Sequence, residues 1–445
     1  MSSTKVTGSI LPRVDSDREN ALFLLRSSLN SLSHSIENLV NPVSRISEEA
    51  RSYLSHNQRV ALENAFSLRT VNVKKLLARL KVDLAQPKDK IFANLDKIRH
   101  DTDFVRNEYL KSEMVFGYYV DLLHTRGIAG MGAILKGYDH LSVLTLRTFL
   151  SPLGHQIPPV VVYLEQVGDG AAIMRADISL WDRLRNPCAV IKIPQSNIRT
   201  PRSSIFHEAG HQVGSITGLN QEAAELLYNT VKAAAGSEWL AEYWKFCATE
   251  IVADQIATQL TNWVGATTMY NIYSGSSGSS LGRGARMFAV IPHDTHLMGY
   301  LRIRSNIESC RLALGRGPWD QMEKALEIVY PKRLAPTGSA RIIEQSLPIL
   351  PTICRALART KLKSFGGKSF EEMYPMRLCS MDAVRRVLNL DLSNFSVGMN
   401  GMLQNPILTV VAFGTLQMLG GKSIYWVTSE MDKWLSELGK REAMN

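Results

Sequence analysis

Apolar side chains return every three or four positions through NALFLLRSSLNSLSHSIENLV (20–40) and VKKLLARLKVDLA (73–85). That spacing puts one face of an α-helix on a core. Few glycines interrupt residues 18–140, and Pro42 and Pro87 are the expected breaks. The pattern predicts an α-helical N-terminal region whose amphipathic faces pack on their own chain. Its character changes at SPLGHQIPP (151–159). VVVYLEQ (160–166), AAIMRADISLW (171–181) and CAVIKIP (188–194) are short β-branched runs parted by Gly, Asp, Asn and Pro. They predict a small sheet, read as a meander. Helical periodicity then resumes, broken by SGSSGSSLGRG (274–284), a composition suited to a lid or to a disordered insertion. The expected fold is α+β and mainly α. A small antiparallel or mixed sheet packs on a histidine-bearing helix and a second, glutamate-bearing helix, with helical flanking regions. The expected divisions are a disordered N-terminus (1–17), a helical N-terminal region (18–140), a core (141–335) and a helical C-terminal region (336–445).

Length and composition narrow the class. At 445 residues the chain exceeds one core, and 45% hydrophobic with 21% charged residues is ordinary for a globular protein. The five cysteines, at 188, 247, 310, 354 and 379, form no CxxC pair. Reduced thiols are expected, and neither a disulfide framework nor a thiolate zinc knuckle. The start MSSTKVTGSILPRVDSDREN lacks the apolar core of a secretory signal, so a cytoplasmic protein is expected. The formal charge of +10 is spread out and densest in RALARTKLKSFGGK (355–368). This describes a solvated surface, and no nucleic-acid partner is expected. NPILTVVAFGTLQMLGG (405–421) is apolar but holds Thr409, Thr415 and Gln417. A membrane span needs about 20 predominantly apolar residues, so a buried helix is expected here in place of membrane association.

The chemistry concentrates in SSIFHEAGHQVGSITG (203–218). His207 and His211 stand four apart, so on a helix they share a face and can close on one metal ion. Glu208 follows the first histidine and can take the proton of a zinc-bound water. The pattern H-E-x-x-H arises by chance in about one chain in a hundred, so the surroundings must decide. Ile205, Phe206, Val213 and Ile216 give the helix an apolar side, and Ala209 and Gly210 keep it slim. Zinc needs a third protein ligand; the downstream acids are Glu222, Glu225, Glu238, Glu242 and Glu250. FCATEIVADQIATQL (246–260) favours Glu250, with Asp254 one turn on, placed to hydrogen-bond the far nitrogen of a zinc histidine.

HEAGH followed by EIVAD resembles the gluzincin zinc metallopeptidases. It is most similar to the minimal core of the heat-shock membrane peptidases and CAAX prenyl proteases, over about a third of the chain and without flanking membrane helices. The resemblance implies Zn2+ held by His207, His211 and Glu250, with Glu208 as general base and Asp254 as the acid behind a histidine. It also directs attention to IPHDTHLMGYLRIR (291–304). There His293 or His296 would donate to the oxyanion, and Arg302 or Arg304 would orient the transition state or substrate. The expected function is zinc-dependent hydrolysis of protein or peptide substrates, as an endopeptidase. An extended substrate would add as a strand beside AVIKIP. The alternatives are a non-catalytic zinc-stabilised scaffold that binds a partner, and a secreted or injected toxin effector with the same chemistry.

Overall fold

The predicted helical period is realised in three long helices, Asp17–Glu37, His56–Leu84 and Leu95–His124. The computed structural model describes residues 17–165, 170–194, 203–274, 285–291, 293–389, 398–419 and 422–441. The expected disordered start and the serine–glycine stretch therefore lie outside the described residues, except for Asp17 and Ser274. Leu22, Leu29, Leu32 and Ile36 form the buried stripe of the first helix and join Val73, Leu77, Leu80 and Leu84 of the second in one apolar cluster. Pro42 opens a four-residue helix and Pro87 caps another, so both prolines act as breaks. The chain divides into two compact units. One comprises Met1–Arg45, Leu62–Asp121 and Ser179–Leu184; the other comprises Ile46–Ala61, Leu122–Ile178 and Arg185–Asn445.

The fold is mainly α with one small mixed sheet. Its strands are β1 (Val160–Glu165), β2 (Ala172–Met174) and β3 (Ala189–Pro194), in the order β1-β3-β2. This corrects the expected meander. β3 lies between the others, parallel to β1 with Val160 opposite Ala189, and antiparallel to β2 with Ile173 opposite Ile191. The reason is burial on both faces. Ala189, Val190, Ile191 and Ile193 are all buried, as a central strand requires, while the three residues of β2 can serve only as an edge. Along AVIKIP, β1 pairs every residue and β2 pairs Val190, Ile191 and Lys192, so β3 offers a peptide no full edge.

The outer edge of β1 is closed by side chains. Gln58 donates to the Val160 carbonyl. Asp139 accepts from the Val162 amide at 2.7 Å, and Arg126 donates to the Val162 carbonyl at 2.8 Å. Arg126 and Gln58 also hold Asp139, at 2.8 and 2.9 Å. This buried network does for the edge what a fourth strand would do.

Residues 336–441 belong to the same unit as the sheet. The apolar stretch there is the buried helix Pro406–Leu419. Thr409 satisfies itself on the Met402 carbonyl at 2.9 Å, and Thr415 accepts from the Trp263 indole at 3.3 Å. Among the described residues no helix is long and apolar enough to cross a membrane. All five cysteines are free and buried.

Candidate metal centre

Two helices carry the chemistry. The histidine helix, Ser204–Thr217, turns Ile205, Phe206, Ala209 and Val213 into the core. The acid helix, Ala248–Thr261, is buried on nearly every side, with Ile251, Val252, Ile256 and Leu260 in the same core. They meet where Gly210 faces Ala253. A Cβ at 210 would lie 3.0 Å from the Ala253 Cα and 3.2 Å from its carbonyl oxygen. A glycine is what permits this approach.

The close crossing brings His207, His211 and Glu250 together. The two Nε2 atoms lie 3.2 Å apart. Glu250 Oε2 is 3.3 Å from His207 Nε2, and Glu250 Oε1 is 3.4 Å from His211 Nε2. Tetrahedral zinc with bonds of about 2.0 Å would space its ligand atoms about 3.3 Å apart. The two imidazole nitrogens have that separation, and the Glu250 carboxylate turns one oxygen toward each, so the three side chains could hold one metal ion. Charge agrees. Glu250 and Asp254 are two buried carboxylates served by one buried guanidinium, Arg302, and Glu250 Oε2 accepts no hydrogen bond. The remaining negative charge calls for a second cation, either a proton on an imidazole or a metal ion.

Two of the three, His207 and Glu250, have support behind them. Asp254 Oδ1 lies 2.9 Å from His207 Nδ1. Arg302 grips Asp254 with two nitrogens, at 2.6 and 2.7 Å, and its outer nitrogen passes 3.3 Å from Glu250 Oε2. Burial opposes a charge on His207, yet Asp254 and Glu250 outweigh it and raise its pKa to about 10. Burial and the neighbouring His207 push His211 down to about 4. Burial pushes the Glu208 carboxyl up to about 7 against the pull of His207, with Glu250 adding to the rise. A buried carboxyl poised near neutral pH suits proton transfer.

The other candidates separate clearly. His296 reaches the cluster, with Nε2 3.4 Å from Glu250 Oε2 and a half-exposed ring held at Nδ1 by Asp294. His293 is exposed at φ +65°, and no hydrogen bond or ion pair joins it to the cluster among the described residues. Arg302 is buried beside His207 and Glu250. Arg304 points elsewhere and pairs with Glu323 and with Glu327 at 2.9 Å. Glu222 accepts from the Lys363 and Ser364 amides, Glu225 pairs with Lys245, Glu238 pairs with Lys232, and Glu242 is exposed.

Sequence reasoning passed over Tyr273, whose hydroxyl accepts from Arg302 at 2.8 Å, and Asp294. Only the nearness of Asp294 to His296 could have singled it out. It also passed over Asp177, which takes Gln212 at 2.8 Å and Ser215 at 2.6 Å and so ties the chain after β2 to the histidine helix. Compared with protein-family models, curated proteins and solved structures, the chain matches none.

Proposed function

We propose that this chain is a zinc-dependent peptidase of the gluzincin kind, with His207, His211 and Glu250 as the protein ligands. The observation that carries this reading is the meeting of the two imidazole Nε2 atoms, 3.2 Å apart, with the Glu250 carboxylate, one oxygen 3.3 Å from His207 and the other 3.4 Å from His211, beside a buried carboxyl at residue 208. Bound there, zinc would polarise the scissile carbonyl and bring the acidity of water near neutrality. Glu208 would take the proton and return it to the leaving amine. His296, oriented through Nδ1 by Asp294, turns Nε2 to the rim of the cluster and would donate to the developing oxyanion. An extended peptide would add at the outer edge of β2, since β3 is the central strand and β1 is covered.

Metal analysis and cleavage of a generic unfolded protein test this together. The wild type should carry one equivalent of zinc and cleave. Glu208→Gln should keep the metal and lose about 10²–10⁴-fold in turnover, the range of a general base. His207→Ala, His211→Ala and Glu250→Ala should each lose most of the zinc. A full equivalent in Glu250→Ala would remove Glu250 from the ligand set. Bound zinc without cleavage would leave a zinc-stabilised scaffold.

A further inference from the structure

Behind the ligands runs a chain of polar contacts whose outermost member has no assigned part. Tyr273, near the end of the helix Trp263–Ser274, accepts a hydrogen bond from Arg302 Nη1 at 2.8 Å. Arg302 Nε and Nη2 hold Asp254 at 2.6 and 2.7 Å, and Asp254 lies 2.9 Å from His207 Nδ1. The tyrosine ring is fixed from its other side. A Cβ at residue 299 would fall 2.5–2.8 Å from three of its carbons, so only glycine leaves it room.

Arg302 is both a support and a competitor. Its Nη2 also lies 3.3 Å from Glu250 Oε2 and 3.5 Å from His207 Nε2, two atoms a metal would use. A small swing of the guanidinium about its Asp254 contact would give Glu250 a full ion pair and take that carboxylate away from any metal. The Tyr273 hydroxyl, bonded to the third guanidinium nitrogen, opposes the swing. Resting on the zinc reading above, we propose that Tyr273 is a positioning residue that holds Arg302 on Asp254 and off Glu250, leaving Glu250 to the metal. Gly299 acts in the same way by giving the ring its place.

The test is zinc affinity, measured by competition with a chromogenic chelator, in wild type, Tyr273→Phe, Arg302→Lys and the double variant. Phenylalanine keeps the ring against Gly299 and removes only the hydroxyl. Tyr273→Phe should bind zinc about tenfold more weakly, the usual effect of losing a group behind a ligand. Gly299→Ala, which displaces the ring, should do the same. In the Arg302→Lys background the loss on removing the hydroxyl should shrink to less than threefold, because the fork it restrains is gone. The cobalt-substituted visible spectrum should shift in Tyr273→Phe, which a purely structural role would not produce. Unchanged zinc affinity in Tyr273→Phe overturns the inference, as does an equal loss with and without Arg302. If the wild type takes up no zinc, the metal reading itself falls and this inference with it.

Discussion

Gly210→Ala tests the crossing on which the site depends. Two terms of opposite sign act. Alanine is the better helix former, favouring the variant by about 1 kcal/mol. Against that, its Cβ would meet Ala253 Cα at 3.0 Å, Ala253 O at 3.2 Å and Ile256 Cβ at 3.3 Å. Two of these are backbone atoms of a buried helix and cannot rotate away, so the helices must part by a few tenths of an ångström. Overpacking of this kind costs about 1–3 kcal/mol, so the metal-free variant should be less stable by about 0–2 kcal/mol. A second effect should fall on the metal. His207 and His211 ride on one helix and Glu250 on the other, and coordination distances tolerate only about 0.2 Å. Zinc affinity should drop by about tenfold, a loss carried by the displaced ligands and separate from the stability change. Urea denaturation of chelated protein gives the first quantity and competition titration the second. A variant at least as stable as wild type that binds zinc within twofold of it would show that the two helices do not constrain each other here.

Asp139→Ala should cost about 3–5 kcal/mol in urea melts, because it strands the buried Arg126 without its acid and uncovers the Val162 amide. For Glu222, burial pushes the carboxyl up, but hydrogen bonds from Ser364 and Lys363 outweigh it and hold it below the usual range. Its contribution is therefore present above the ordinary glutamate range and lost as pH falls through the depressed folded value. Glu222→Gln should be less stable than wild type by about 1 kcal/mol at pH 7, and the gap should close in acid melts. Asn262, buried at φ 47° and ψ −133° between the acid helix and the next, holds a backbone shape that favours glycine. Asn262→Ala should therefore be less stable than Asn262→Gly by about 1 kcal/mol or more in thermal melts, and a reversed order would remove the strain.

The parts of the site that were legible obey local geometry. His207 with His211, and Glu250 with Asp254, are pairs four apart, and a helix guarantees that such pairs share a face. The buried helix Pro406–Leu419 was legible too, because hydroxyls in an apolar run can be satisfied by the preceding turn or by a neighbour, as Thr409 and Thr415 are. What was not legible depends on partners far along the chain. Arg302 and Arg304 differ by about 200° around a helix, so at most one faces the cluster, but nothing local says which. His293 and His296 are the same residue type in one loop, and only the backbone turn at 293 and the Asp294 contact separate them. β3 became the central strand because of what covers its two faces, and three short apolar runs in sequence do not disclose their order.

The long-range contacts also change the weight of the short motif. Two histidines and a glutamate on a helix are a chance pattern in some chains. A buried group of Glu208, Glu250 and Asp254 around one permanent cation is different, because unpaired charge in an interior is expensive and apolar residues would serve folding as well or better. Asp254 takes two guanidinium nitrogens at hydrogen-bond distance, while Glu250 receives only the glancing 3.3 Å approach of a third contact and faces three imidazole nitrogens at 3.3, 3.4 and 3.4 Å. A network selected only to hold helices together would close Glu250 onto a base. Here it is left turned toward the imidazoles, and His207 with its raised pKa can carry the balancing charge as a proton.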